Sequence, residues 1–373
     1  MEFTITKETL IKGLGKTQTI IEKKTTLPIL SNVLIETRGD EAIEIAATNL
    51  EVGIKGTYSA QVQERGSVTV AAKKLFEIVR ELPESEIKFK ALDNNWVEIA
   101  CGKAIFKMVG LSSDDFPIIP SFDDETFHPL PAAMLSEMVE RVQHAVSLDE
   151  TRHYLNGVYF STVESGGKQL ARMVATDGHR LAMIDRELPD ESEFKLEEGA
   201  IIPRKGISEL RKAFAEIEDD VNICFKDRNI VAKTEDTLYL IRLIDGDFPE
   251  YSQVIPAGND KMLNCSRDQL LGSLRRISLL STELNKGVKF SLDKKVLELS
   301  SSNPELGEAK EELLVGYESD PMDIGFNARY FLDVLNVVGD EDVVIQLADE
   351  LAPGMIKTPG DPGFTAVVMP MRL

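Results

Sequence analysis

Cysteine is scarce. The 373 residues hold three, Cys101, Cys224 and Cys265, and they lie far apart. That spacing supports neither a disulfide framework nor a cysteine metal site, and it fits buried free thiols in a reducing compartment. Histidine is scarce too. His128, His144, His153 and His179 are the four, and none stands at a metal-ligand spacing from another. No apolar run approaches the ~18–20 residues of a membrane helix. The opening residues, MEFTITKETLIKGLGK, lack an apolar stretch and a small-residue cleavage site. The expectation is an unprocessed cytoplasmic protein that meets no membrane. A Gly-rich phosphate loop, a nucleophile motif and low-complexity tracts are also missing, so neither cofactor nor metal is expected. Bases are outnumbered: 42 Lys and Arg face 63 Asp and Glu, for a net charge of −21. Taken alone, that total opposes nucleic acid binding, which needs basic surface. It says nothing, however, about where the charges sit.

The chain does have enough apolar residues, 43%, to build substantial cores, and length enough for two or three domains. Three signals recur roughly every 126 to 132 residues. The first is a polar turn after a strand: AATNLEV, VATDGHRLAM and LSSSNPEL, with Thr48, Thr176 and Ser302 in matching places. The second is a strand that leads into a helix: SVTVAAKKLFEIVREL, GAIIPRKGISELRKAF and MDIGFNARYFLDVLNVV. The third is a closing phrase, Asp115-Phe116-Pro117 and Asp247-Phe248-Pro249. A helix opens each copy, at 7–22, 131–146 and 266–280, and alternating runs such as NVLIET, WVEIAC and VLELSS read as strands. The period is far too long for a solenoid. The fold class is therefore α+β: three duplicated domains, 1–125, 126–253 and 254–373, each with two helices and antiparallel strands.

The helices carry the bases. Residues 7–24 hold five Lys against two Glu, residues 203–215 four bases against one Glu, and residues 266–280 three Arg against one Asp. Residues 71–82 are slightly basic, and 131–146 are an exception with two Glu against one Arg. In the first helix Leu10, Leu14 and Ile21 share one face and Lys12, Lys16 and Lys23 the opposite one. This pattern implies a basic surface made by helices on an otherwise acidic molecule. Such a surface would hold phosphates without reading sequence. The Asp177, His179 and Arg180 of TDGHRL suggest an acid–base centre, yet no pocket or nucleophile motif accompanies them. A turn is the better reading, with Asp177 capping and Gly178 at positive φ.

Several phrases, in this order and spacing, resemble the bacterial DNA polymerase III beta subunit, the sliding clamp family. They are TLPILSNVLIET, RHYLNGVYF, VATDGHRLA, IIPRKG, DGDFPEY, GFNARYFLDVLN and VVMPMRL. The resemblance spans the chain. It implies three clamp domains forming half of a ring, closed head to tail by a second copy. The ring would encircle double-stranded DNA without sequence specificity and tether the replicative polymerase. It would catalyse nothing.

The resemblance also implies sites. A partner-peptide pocket would be formed by Leu155, Thr176, Gly178, His179, Arg180, Leu181, Pro249, Val254, Asn327, Tyr330, Val367, Met369, Pro370, Met371, Arg372 and Leu373. It would serve the polymerase, the clamp loader and other proteins bearing a clamp-binding motif. Ser252-Gln253 stands where some clamps carry bases. DNA would meet Lys24, Lys73, Arg152, His153, Tyr154, Arg204 and Lys205. The dimer interface would join Phe106 and Met108 to Leu279 and Leu280, with Lys74 facing the acidic run Glu305, Glu308, Glu311 and Glu312. Two rival readings remain: a scaffold of this fold that no longer holds DNA, and an enzyme using His179.

Overall fold

The computed structural model describes residues 1–21, 26–281 and 286–372. Among them are six α-helices: α1 (Lys7–Thr17), α2 (Ala72–Glu81), α3 (Ala132–Val142), α4 (Arg204–Phe214), α5 (Arg267–Ile277) and α6 (Ala328–Val337). Every expected helix is present, though the three that open the copies stop earlier than their periodicity suggests. After α1 the chain turns at Gln18, after α3 it tightens into a 3-10 turn Gln143–Ala145, and after α5 into Ser278–Leu280. The apolar pattern continues through these turns, so periodicity alone overruns the helix end.

The chain forms two compact units: residues 1–132 with 208–243, and residues 133–207 with 244–373. These follow the sheets, not the sequence repeats. In the first unit a thirteen-stranded sheet joins the strands of the first copy to those of the middle copy. The seam is the antiparallel pair Val52–Ser59 with Thr237–Arg242, where Gly53 faces Leu240 and Ile54 faces Tyr239. In the second unit an eight-stranded sheet joins middle to third copy, through Arg180–Glu187 paired with Asp361–Val368. A four-stranded sheet completes that unit, with Gly307–Leu314 at its edge.

Helices cover one face of each sheet. α1 is capped by Thr6, whose hydroxyl accepts from the Thr9 amide at 3.2 Å. It buries Leu10, Gly13 and Leu14. Gly13, a poor helix former, is needed here: a Cβ would lie 2.8 Å from the Tyr58 ring. α2 packs on α1, and α5 on α6. Each seam also has an ionic clamp between an opening helix and a hairpin of the following copy. In the first, Lys12 and Lys16 reach Asp236 at 2.9 and 3.0 Å. Burial acts to raise the Asp236 pKa, but bonds from Lys12, Thr237 and Lys16 overcome it and hold the carboxyl below its usual range. In the second, Arg186 bridges Glu137 of α3 and Asp361, each at 2.6 Å.

Candidate partner-binding site

The TDGHR segment joins strands Lys168–Thr176 and Arg180–Glu187 of the second unit. Its conformation follows from its residues. The Thr176 hydroxyl donates to the Arg180 carbonyl at 2.6 Å and accepts from the Gly178 amide at 3.1 Å. Asp177 Oδ1 accepts from the amides of His179 and Arg180, at 2.9 and 3.0 Å. Gly178 has φ +86°, the left-handed region open to glycine. The segment is thus a side-chain-capped turn, with the Asp177 carboxylate committed to backbone amides and to Arg180 Nε at 3.1 Å. His179 is exposed and has no acid–base partner among these contacts.

Arg180 is not a free cation either. Its side chain is 9% exposed and is held by Asp177 and by Asp333 of α6. The guanidinium also lies over the Tyr330 ring, 4.6 Å from its centre. Asn327 caps α6 by accepting from the Arg329 amide at 3.0 Å. Nearby His144 has both ring nitrogens enclosed without a protein hydrogen-bond partner. Burial, and then the charge of Arg180, push its pKa down to about 3.

The C-terminal strand runs beside this turn. Leu181 pairs with Val367 and Arg180 with Val368. Beyond the strand the Met369 amide donates to the His179 carbonyl at 2.9 Å, and the Met371 amide to Gly325 at 2.8 Å. Val174, Leu181, Met355 and Val367 form a buried floor, against which Tyr159, Met183, Phe248, Tyr251 and Ile255 pack. Met369, Pro370 and Met371 are half-buried beside it, and Pro249 and Val254 stand exposed on the segment that carries Phe248 and Tyr251. Leu155 is buried in the core. Leu373 lies outside the described residues. Met355, Phe248, Tyr251 and Asp333 are absent from the sequence-derived set. Phe248 and Tyr251 lie inside the DGDFPEY phrase, and Asp333 inside GFNARYFLDVLN, so all three were findable there; Met355 carries no local signal.

The charge pattern needs correction. Counting helix charges misses carboxylates that strands and hairpin turns bring to the helices, and it does not show which helix bases are already paired along their own helix. Lys12 and Lys16 share Asp236, Lys74 pairs with Glu77 at 2.6 Å, Lys212 with Glu209 at 2.8 Å, and Arg276 with Glu311. Lys73, the second residue of α2, and Arg204, the first of α4, remain exposed, with Lys205 next to Arg204. His153 and Tyr154 are exposed on the 3-10 turn His153–Leu155. Arg152 is held by Asp149 at 3.1 Å and lies against Gly178, where a Cβ would sit 2.8 Å from Nη1. Lys23 and Lys24 lie outside the described residues.

Of the interface residues, Met108 is buried within the chain, opposite Val97, two residues along strand Ala104–Leu111 from the part-exposed Phe106. Its neighbours Ile105, Phe106 and Val109 carry that strand's exposed apolar surface. Leu279 is 77% exposed, and Leu280 is half-buried. Glu311 is held in the chain by Arg276 and Ser273, while Glu305, Glu308 and Glu312 are exposed.

Three models of DNA polymerase III beta subunit domains match in order: the N-terminal domain over residues 1–120, the central domain over 129–250 and the C-terminal domain over 252–372. The chain belongs to the DNA polymerase III beta subunit family, the beta sliding clamps. The beta sliding clamps of Caulobacter vibrioides and Escherichia coli are each 34% identical to it, with all of both chains covered. Solved structures of Caulobacter crescentus pol III beta and of the Pseudomonas aeruginosa subunit superpose with TM-scores of 0.94 and 0.93 at 34% identity, again over both full chains. The clamp from Bartonella birtlesii, bound to griselimycin, superposes with a TM-score of 0.94. The chain is accordingly a sliding clamp, a non-catalytic processivity subunit of a DNA polymerase, and the enzyme reading of His179 falls. Among the described residues no group of His, Cys, Asp or Glu could hold a metal, and no helix is long and apolar enough to cross a membrane.

Proposed function

We propose that two copies of this clamp close head to tail around duplex DNA in the cytoplasm, each contributing three domains, 1–125, 126–253 and 254–373. The observation that carries this reading is the repeated seam. At the first seam Gly53, opposite Thr48 in its hairpin, faces Leu240; at the second Leu181, opposite Thr176, faces Val367. The third copy has the equivalent residue, Glu308, opposite Ser302, but its strand Gly307–Leu314 is a sheet edge. The first copy has the complementary strand, Ala104–Leu111, whose outer side pairs only at Gly110 and Leu111. Unpaired edges invite a further strand. A heterologous contact of this kind closes into a ring when the rotation fits.

Carried over, the seam register sets Lys107 opposite Glu308 and Phe106 opposite Ala309 of the other copy. Leu279 and Leu280 then cover Phe106, while Lys74 faces the acidic run around Glu305. Lys24, Lys73, Arg152, His153, Tyr154, Arg204 and Lys205 meet phosphates, and salt weakens that contact. The polymerase, the loader and other motif-bearing partners occupy the site built on Leu181 and Val367. Its Met369 and Met371 side chains adapt to varied apolar groups.

The test is topological. The protein is loaded onto nicked circular DNA with its ATP-driven loader, and the circle is then linearised. Retention on the circle and loss from the linear form support the ring. Equal behaviour on both forms refutes it and favours a scaffold that does not encircle DNA.

A further inference from the structure

We propose that Arg172, held by Asp185, is a positioning residue for the partner pocket: it tethers the Tyr251 hydroxyl and so fixes the wall formed by residues 248–254. The inference rests on the pocket reading above. Arg172 and Asp185 face each other across adjacent strands. Two guanidinium nitrogens donate to the two carboxylate oxygens, at 2.7 and 2.6 Å. That fork-on-fork geometry fixes the plane of the guanidinium. The remaining nitrogen, Nη1, points to Tyr251 and donates to its hydroxyl at 3.4 Å, the long end of the range. The Asp185 contact, working against burial and helped by Tyr251, raises the basicity of Arg172 further.

Tyr251 is where this tether takes effect. It opens the 3-10 turn Tyr251–Val254, which presents Val254. Its ring lies 6.3 Å from that of Phe248, edge-on, and 6.2 Å from that of Tyr159. Phe248 in turn stacks on Tyr159 at 5.0 Å. The rings rest on the floor of Val174, Leu181, Met355 and Val367. Apolar contacts of this kind hold the wall against the sheet but do not fix its rotation or register. One directional bond from a rigid cross-strand pair does. A wall already fixed in place has less freedom to lose when a peptide binds.

The first seam lacks the device. Its register-equivalent residues are Glu44 and Thr57, which also face each other. There Glu44 is held by Arg38 and Lys55, at 3.0 and 3.3 Å. Ile119 takes the place of Tyr251 in the closing phrase and offers no hydroxyl. The triad therefore belongs to the seam that carries the pocket, not to the fold in general.

The experiment compares wild type, Tyr251→Phe, Arg172→Gln and the double variant in the intact protein. The probe is a labelled peptide bearing the cognate polymerase's clamp-binding motif, read by anisotropy. Amide exchange across residues 246–256 is followed in parallel. Tyr251→Phe loses only the hydroxyl, so its melting temperature should not move. Its peptide affinity should fall about three- to tenfold, mainly through faster release, and exchange in the wall should accelerate while strands 168–187 keep their protection. Arg172→Gln should do at least as much, and the double variant no more than Arg172→Gln alone. Affinities within twofold of wild type with unchanged exchange, or losses that add in the double variant, overturn the tether. Wild type that fails to bind the peptide at all overturns the pocket reading itself.

Discussion

The two seams inside the chain are built on one plan and do different work. Both use the same strand register. Both place a capped turn beside the incoming strand: Asn49 Oδ1 accepts from Glu51 and Val52 as Asp177 accepts from His179 and Arg180. Both end in the same backbone bond, Arg242 to Glu51 and Met369 to His179, each at 2.9 Å. The side chains hung on that frame diverge. Leu181, Gly178, His179, Met369 and Tyr251 in the second seam answer to Gly53, Leu50, Glu51, Arg242 and Ile119 in the first. The first set lies over the buried apolar cluster of Val174, Leu181, Met355 and Val367; in the second, Leu50, Glu51 and Arg242 are exposed, and the cavity at that seam is lined by charged groups, among them Arg38, Glu44, Lys55, Lys233 and Asp236. The duplicated backbone supplies the frame, and a handful of side chains set apart the seam proposed as the binding site.

The largest expected effect comes from removing the floor. Leu181→Ala deletes a buried side chain that packs with Val174, Met355 and Val367, which should cost about 3 kcal/mol and abolish peptide binding. The matching change in the first seam, Gly53→Ala, adds a Cβ at 3.6 Å from Ile119 and Leu240, ordinary contact distance. It should leave stability within about 0.5 kcal/mol and peptide affinity untouched. Denaturant titration and peptide anisotropy read both, and equal losses at the two sites would erase the distinction between the seams.

His144 sharpens the comparison in a second way. Its counterpart after α1, Thr19, donates to Glu209 at 2.6 Å and is satisfied; His144 is enclosed and unpartnered. Its folded pKa, about 3, lies below the ordinary 6.5. As the pH drops below 6.5 the unfolded chain takes up a proton that the folded chain refuses, so stability falls progressively toward pH 3. His144→Phe should remove that slope, a gain of about 2 kcal/mol at pH 5 relative to its effect at pH 7.5. Parallel pH profiles of unfolding free energy for wild type and variant would contradict this.

Much of this was legible in the residues, and the limits have physical causes. Local order is written locally: the DGHR turn, the six helices and the strands follow from spacing and capping. Pairing between copies is not. Nothing in TEDT announces that Asp236 will neutralise Lys12 and Lys16, because the contact joins segments over two hundred residues apart and depends on the seam register. The burial of Met108 is hidden for a related reason. Alternation sets Phe106 and Met108 on one face of their strand, but only the packed sheet decides how far each is covered. The candidate site was legible only by resemblance, since the apolar cluster beneath it draws on Val174, Met355 and Val367 from three separate strands.

The smallest effect tests the backbone of the two turns. Gly178 has φ +86°, and Leu50, in the equivalent place, has φ +74°. Leucine pays a steric penalty there that glycine does not, of order 1–2 kcal/mol. Leu50 is also 53% exposed, so little packing offsets the strain. Leu50→Gly relieves the strain but gives the unfolded chain more freedom, and the net gain should be roughly 0.5 kcal/mol. Gly178→Ala does the reverse. It imposes the strain and presses on Arg152 Nη1, the movable end of a long side chain, so it should cost about 1 kcal/mol. Opposite signs in chemical denaturation would show that the turns share one backbone demand met by different residues. A loss at both positions would mean that Leu50 is held by contacts its exposure does not reveal.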